Sequence, residues 1–217
     1  APLRRVAMRA PSAMAMADAA RWHYGPTFDP TRVGGEHAAF ADLVARSGAE
    51  IMWMDDDDRG IADSVFTYDA SLMTPKGAVL MSPGKPLRQG EQELHRAFYE
   101  SNQIAIVGEI SGEGRCEGGD TLWLDDQSLA VGRGVRTNQA GIEQLTALLA
   151  PMNVSVHAYD LPLHKGPDAC LHLMSLISPV DTRTAVIFAP MFPVAFWQLL
   201  NDLGYTLLEA PADDFNK

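Results

Sequence analysis

The sequence predicts an α/β protein built from a repeated strand–strand–helix–strand unit. Three observations carry this. The order recurs three times, its starts at Asp63, Glu117 and Asp168 lie 54 and 51 residues apart, and 47% of the 217 residues are hydrophobic. That content is enough to bury a substantial core, and residues 1–217 read as one repeat domain.

The first full repeat covers residues 63–110. "DSVFTYDASLM" reads as a strand, "TPKG" as a turn and "AVLMS" as a second strand. In "QGEQELHRAFYESN", Leu94, Ala97, Phe98 and Asn102 fall at helical spacing, and "IAIVGEI" reads as the closing strand. The second repeat, residues 117–161, gives "DTLWL", the turn "DDQS", "LAVG", a helix and "VSVHAYDL". Thr137 or Asn138 caps that helix, Ile142, Leu145, Leu148 and Leu149 face inward, and Pro151 stops it. The third, residues 168–210, gives "CLHLMSLI", "SPVDTR", "TAVIFA", a helix "VAFWQLLNDLG" ended by Gly204, and "YTLLEAP". Residues 4–54 form a partial copy, with strands "RRVAMRA" and "AEIMWM" around a helix "GEHAAFADLVARSG".

Units that each leave an apolar face uncovered stack in a line or close into a ring. The final "ADDFNK" reads as a turn into another unit, so a further C-terminal unit is expected beyond this chain. A complete open array is the alternative.

A net charge of −11 argues against nucleic acid or an anionic membrane as a partner and for a small polar ligand. No run reaches the ~20 apolar residues of a membrane helix, and Arg9 interrupts the N-terminal apolar stretch, which points to a cytoplasmic protein. Two cysteines, Cys116 and Cys170, read as free thiols. Asp55–Asp58 reads as a solvated acidic loop. "GRGVRT" fails as a dinucleotide motif, because Thr137 replaces its last glycine. Met8, Met14 and Met16 read as core or loop filler.

The unusual polar residues fall on the first strand of each repeat: Asp63 and Asp69, then Glu117 and Asp120, then His172. Arranged around an axis, they would form a pocket of carboxylates with one histidine, which calls for a cationic ligand. A planar guanidinium suits paired carboxylates, since each can accept two of its hydrogen bonds.

"DSVFTYD", "EGGD", "VGRGVRTN" and "LHLMS", in that order over about residues 55 to 211, resemble the dimethylarginine dimethylaminohydrolases of the guanidine-modifying enzyme superfamily, the penteins. That resemblance implies a five-bladed α/β propeller of ββαβ repeats, with the last blade missing from this chain. It implies that Asp69 and Glu117 grip the substrate guanidinium, that Glu117 pairs with His172, and that His172 moves protons. Asp63 and Phe66 would line the pocket, and Arg136 and Arg88 would bind the substrate's carboxylate end, with Arg133 the competitor to Arg88. Asp120 is left as a brace of its turn. The reaction so implied is hydrolysis of arginine or a methylated arginine through a covalent cysteine–amidino intermediate, giving a citrulline-type product and an amine without metal or organic cofactor. The family's nucleophilic cysteine falls beyond Lys217, with Cys170 the weak alternative. Tyr68 stands where the dimethylarginine hydrolases have a glutamate, which loosens the choice of guanidine. An amidinotransferase and a truncated, inactive guanidine binder are the other readings, and a homodimer is left open.

Overall fold

A computed structural model describes residues 3–166 and 169–215, so Asp168, the expected start of the third repeat, and the last two residues of "ADDFNK" lie outside the described residues. The chain forms two compact units, residues 1–109 and 110–217.

In the first unit, β1 (Arg5–Met8) pairs in parallel with β2 (Glu50–Trp53), and the connection carries α1 (Ala19–Trp22) and α2 (Val33–Arg46). Then β3 (Ser71–Thr74) turns back antiparallel onto β4 (Gly77–Leu80), α3 (Glu91–Ser101) crosses over, and β5 (Ile106–Glu109) returns parallel to β4. Gly77 is required at the turn. Its φ is +131°, and a Cβ there would lie 2.2 Å from the Ala105 carbonyl oxygen.

The second unit repeats this order twice. First, β6 (Thr121–Asp125) and β7 (Ser128–Arg133) form a hairpin, followed by α4 (Gln139–Leu149) and β8 (Ser155–Asp160) parallel to β7. Then β9 (Ile177–Pro179) and β10 (Thr184–Ile187) form a hairpin, followed by α5 (Val194–Asp202) and β11 (Thr206–Glu209) parallel to β10. The middle strands β4 and β7 are apolar runs because they are covered on both faces: Ala78, Val79, Leu80, Leu129, Ala130 and Val131 are fully buried. Each helix covers its sheet with an apolar stripe, such as Leu94 and Phe98 on α3 and Phe196 and Leu200 on α5. The α/β class and the ββαβ order follow the sequence reading, and the first copy is a βαβ unit as expected.

The strand assignment needs correction at the residues that matter most. Residues 63–73 are not one strand. A 3₁₀ helix over Ala62–Val65 is followed by turn bonds from Phe66 N–H to Asp63 O and from Asp69 N–H to Phe66 O, and the strand starts only at Ser71. The same device precedes β6, as Gly118–Asp120, and β9, as Leu173–Ser175, with Glu117 and His172 as their N-cap residues. The polar residues therefore occupy corresponding positions in tight turns before the first strand of each repeat, not on it. A tight turn lets consecutive side chains leave in several directions, whereas a strand would alternate them between two faces.

Among the described residues no helix is long and apolar enough to cross a membrane.

Candidate active site

In the first unit, segment 63–69 is held by cations from the segment that follows β4. Asp63 is buried and accepts from Tyr24 Oη at 2.7 Å and Lys85 Nζ at 2.6 Å. Lys85 also donates to the Trp22 carbonyl at 2.7 Å and lies 4.9 Å from the centre of the Trp22 ring, a buried ammonium answered by a carboxylate, a carbonyl and a π face. Burial, reinforced by the bond to Asp63, pushes the Tyr24 phenol above its ordinary range.

Asp69 accepts from Arg88 Nη1 at 2.7 Å. Arg88, expected at the substrate's carboxylate end, is only 3% exposed, and its Nε and Nη2 form a two-pronged pair with Glu91 at 2.7 Å each. Although burial opposes its charge, Glu91 and Asp69 outweigh that and raise the Arg88 pKa. The ring of Phe66 is half exposed. Sequence reading missed Lys85 and Glu91. The signal for Glu91 was present in "LRQGE", where Arg and Glu stand three apart at a helix start.

The second unit holds the histidine. Glu117 is fully buried, its backbone N–H donates to Thr137 Oγ1 at 3.2 Å, and Arg136 Nη1 lies 3.2 and 3.3 Å from its two oxygens. His172 sits between two carboxylates, with Nε2 3.2 Å from Glu117 Oε2 and Nδ1 3.1 Å from Asp120 Oδ1. Asp120 is buried as well and accepts from Thr137 Oγ1 at 2.7 Å and from the Leu173 N–H at 3.1 Å. It therefore does more than brace its turn, because its Oδ1 lies against the ring nitrogen of His172 that faces away from Glu117. Burial alone would lower the His172 pKa. Asp120, Cys170 and Glu117 overcome that, and the imidazole pKa is raised well above its ordinary value.

Local structure explains why Glu117 sits where it does. The Asn138 side chain caps α4 at the Gly141 N–H and also bonds the Arg115 N–H and the Glu113 carbonyl, at 2.8–2.9 Å each. Gly141 lets that helix turn approach closely, since a Cβ there would lie 2.1 Å from the Arg115 carbonyl oxygen. Segment 113–117 is thereby clamped to the start of α4.

The two thiols differ. Cys116 is fully buried, and burial pushes its pKa up to about 12, so it is no nucleophile at neutral pH. Cys170 is exposed, and it is among the groups that raise the His172 pKa. Arg133 is committed to Asp160, with Nε and Nη2 at 2.6 and 2.9 Å, and to Gln139. The acidic loop of residues 55–58 is organised by its own backbone and by Arg9, which donates to the Asp55 and Asp57 carbonyls. Every carboxylate singled out by the sequence thus has a cation of the chain's own in its unit: Lys85 at Asp63, Arg88 at Asp69, Arg136 and His172 at Glu117, and His172 at Asp120.

Comparison with known proteins gives the family and the fold. The arginine deiminase family model matches residues 61–200. The N(G),N(G)-dimethylarginine dimethylaminohydrolase of Streptomyces coelicolor is 31% identical over 159 residues, 72% of this chain and 57% of that protein. The enzyme of the same name from Pseudomonas aeruginosa is 29% identical over 120 residues, 55% of this chain and 46% of that protein. The chain thus spans less than two thirds of the length of these relatives. In fold it is similar to the N-terminal domain of a cyanobacterial arginine dihydrolase bound to product, with a TM-score of 0.80 at 19% identity over 98% of this chain and 77% of that one. A dimethylarginine dimethylaminohydrolase in an adduct with S-methyl-L-thiocitrulline gives a TM-score of 0.77 at 19% identity, over 98% and 78%. With most of its length matched by one family model and its motifs in that family's order, the chain belongs to the arginine deiminase family, within the guanidine-modifying superfamily that its sequence resembles.

Proposed function

We propose that the chain supplies the substrate-gripping and proton-moving parts of a hydrolase that acts on the guanidinium group of arginine or a methylated arginine. One observation carries this reading: an imidazole held between two buried carboxylates, with an arginine guanidinium against one of them. A site that stabilises a planar cation at Glu117 suits a guanidinium substrate, and Arg136 stands in for one. On binding, the substrate guanidinium replaces Arg136 at Glu117, and Arg136 turns to the substrate's carboxylate end. In the first unit, Asp69, Asp63 and Phe66 are the residues that the motif resemblance assigns to substrate.

A cysteine thiolate attacks the guanidinium carbon. His172 gives its proton to the leaving nitrogen, the C–N bond breaks, and an amine departs, leaving an amidino group on sulfur. His172, now neutral, takes a proton from water as the water attacks that carbon. The C–S bond then breaks and a ureido product of the citrulline type leaves. The nucleophile is assigned to a cysteine outside residues 1–217, because the Cys116 thiol is buried and protonated and Cys170 precedes the family's "LHLMS" position. In this reading the three ββαβ units and the βαβ unit are four blades of a five-bladed propeller.

The test is labelling with a haloacetamidine, which alkylates thiols that recognise amidines, followed by peptide mapping, with arginine affinity measured in parallel. One adduct outside residues 1–217 supports the assignment. An adduct on Cys170 moves the nucleophile there. Arginine binding without an adduct leaves a guanidine-binding protein that does not turn substrate over, and failure to bind arginine sinks the reading.

A further inference from the structure

Resting on the guanidine reading above, we propose that Thr137 is a positioning residue: its single hydroxyl sets Glu117 and Asp120, the two carboxylates that flank His172, relative to one another. Sequence reading offered Thr137 as one of two caps for α4. The cap is Asn138, whose side chain takes the Gly141 N–H, so the fully buried Thr137 hydroxyl is left for another purpose.

The direction of its bonds is forced. The Glu117 N–H can only donate, so Thr137 Oγ1 accepts from it, at 3.2 Å. One hydrogen remains, and it goes to Asp120 Oδ2 at 2.7 Å, which requires an unprotonated oxygen there. Asp120 Oδ1 takes the Leu173 N–H at 3.1 Å, so both oxygens are committed and the carboxylate plane is held. Oδ1 then lies 3.1 Å from His172 Nδ1, while Glu117 Oε2 lies 3.2 Å from Nε2 on the other side of the ring. The Asp120 N–H closes its turn onto the Glu117 carbonyl at 3.0 Å, so backbone and hydroxyl fix the same spacing together. Thr137 is itself held firmly. Its carbonyl takes the Gly134 N–H at 3.0 Å, it adjoins the capped start of α4, and its branched Cβ restricts χ1.

Thr137→Val keeps the shape and removes the hydroxyl, and Thr137→Ser returns it. Ring-nitrogen NMR of His172 and titration calorimetry with L-arginine, both on the full protein, read the consequence, with urea unfolding alongside. Thr137→Val should shift both His172 ring nitrogens and weaken L-arginine about tenfold, the scale expected for a buried hydrogen bond to a charged group. Thr137→Ser should return the ring signals and most of the affinity. A folded Thr137→Val with either the His172 signals or the arginine Kd unchanged overturns the proposal, whatever its stability, because the hydroxyl then serves packing alone. A Thr137→Ser that recovers neither overturns it as well. If Thr137→Val does not fold, the unaltered protein decides. Exchange of the Thr137 hydroxyl hydrogen for deuterium must move the Asp120 carboxyl carbon resonance, and an unmoved carbon overturns the proposal. Should the unaltered protein bind no L-arginine, the guanidine reading fails by itself, and the His172 spectra of the two variants still decide the positioning role.

Discussion

The two units meet the same problem with different cations. In the first, Asp63, Asp69 and Glu91 are answered by Lys85 and by Arg88, whose guanidinium keeps its charge across the physiological range. In the second, Glu117 and Asp120 share His172, whose charge depends on pH. Both sets hang from 3₁₀ turns before a first strand, so one backbone device serves two purposes. A fixed cation makes a clamp, and a titratable one makes a proton donor. The first unit should therefore answer to removal of a partner and the second to pH.

The largest effect expected from breaking this contrast is at Glu91. Glu91→Ala leaves the buried Arg88 without its two-pronged partner and should cost ~3–5 kcal/mol in urea unfolding. A loss below ~1 kcal/mol would mean that the fork contributes no more than a surface pair.

The first unit holds groups that respond to acid as well: burial pushes the Glu91 carboxyl up to about 7 and lowers the His37 and His95 imidazoles. His95 is buried against Ser71 Oγ, 3.0 Å from Nδ1, and burial, with Arg9 and Arg88 nearby, lowers its pKa to about 3. Between about pH 6.5 and 3 the unfolded chain takes up a proton that the folded chain refuses. Stability should therefore fall on acidification by up to ~1.4 kcal/mol per pH unit from this residue alone. His95→Gln should flatten that branch; an unchanged acid slope would show that other groups set it.

His172 has the opposite sign. Its folded pKa is raised, so its contribution is fully present below about pH 6.5, its unfolded value, and is lost as pH rises through the folded value. His172→Gln should remove a decline in stability on the alkaline side, with the same limiting slope, and leave the acid branch to His95. Parallel profiles for the two proteins would refute the shift.

Much of the scaffold was legible because it follows simple periods. Leu94 and Phe98, Ile142 and Leu145, and Phe196 and Leu200 mark their helices, and the unbroken apolar runs of β4 and β7 mark middle strands. The site was less so. "DSVFTYD" carries the Val, Phe, Thr and Tyr that favour a strand, yet it folds as turns, with the Asp63 side chain bonded inward. The motifs marked Asp63, Asp69 and Glu117, but the demand for a cation was assigned to a ligand. Lys85 is 22 residues from Asp63 and Arg88 is 19 from Asp69, and no local pattern announces pairings that the fold creates. Asp120 was undervalued for the same reason, since its partner His172 belongs to the next repeat.

The smallest expected effect lies in how the helices beside these sites begin. α3 starts after Gly90, which has no side chain to cap it, whereas α4 is capped by Asn138. Asn138→Ala should cost ~1 kcal/mol for the lost cap. Asn138 also holds the Arg115 N–H and the Glu113 carbonyl, two residues short of the buried Glu117. Asn138→Asp keeps an acceptor for both N–H groups and loses only the donor to Glu113, so it should recover most of the stability. If the Asn138 bonds to segment 113–115 carry the placement of Glu117, the His172 ring resonances should shift in Asn138→Ala and return in Asn138→Asp. A stability loss without that shift would confine Asn138 to the helix it caps, and Glu117 would then be placed by Thr137 and the close approach at Gly141.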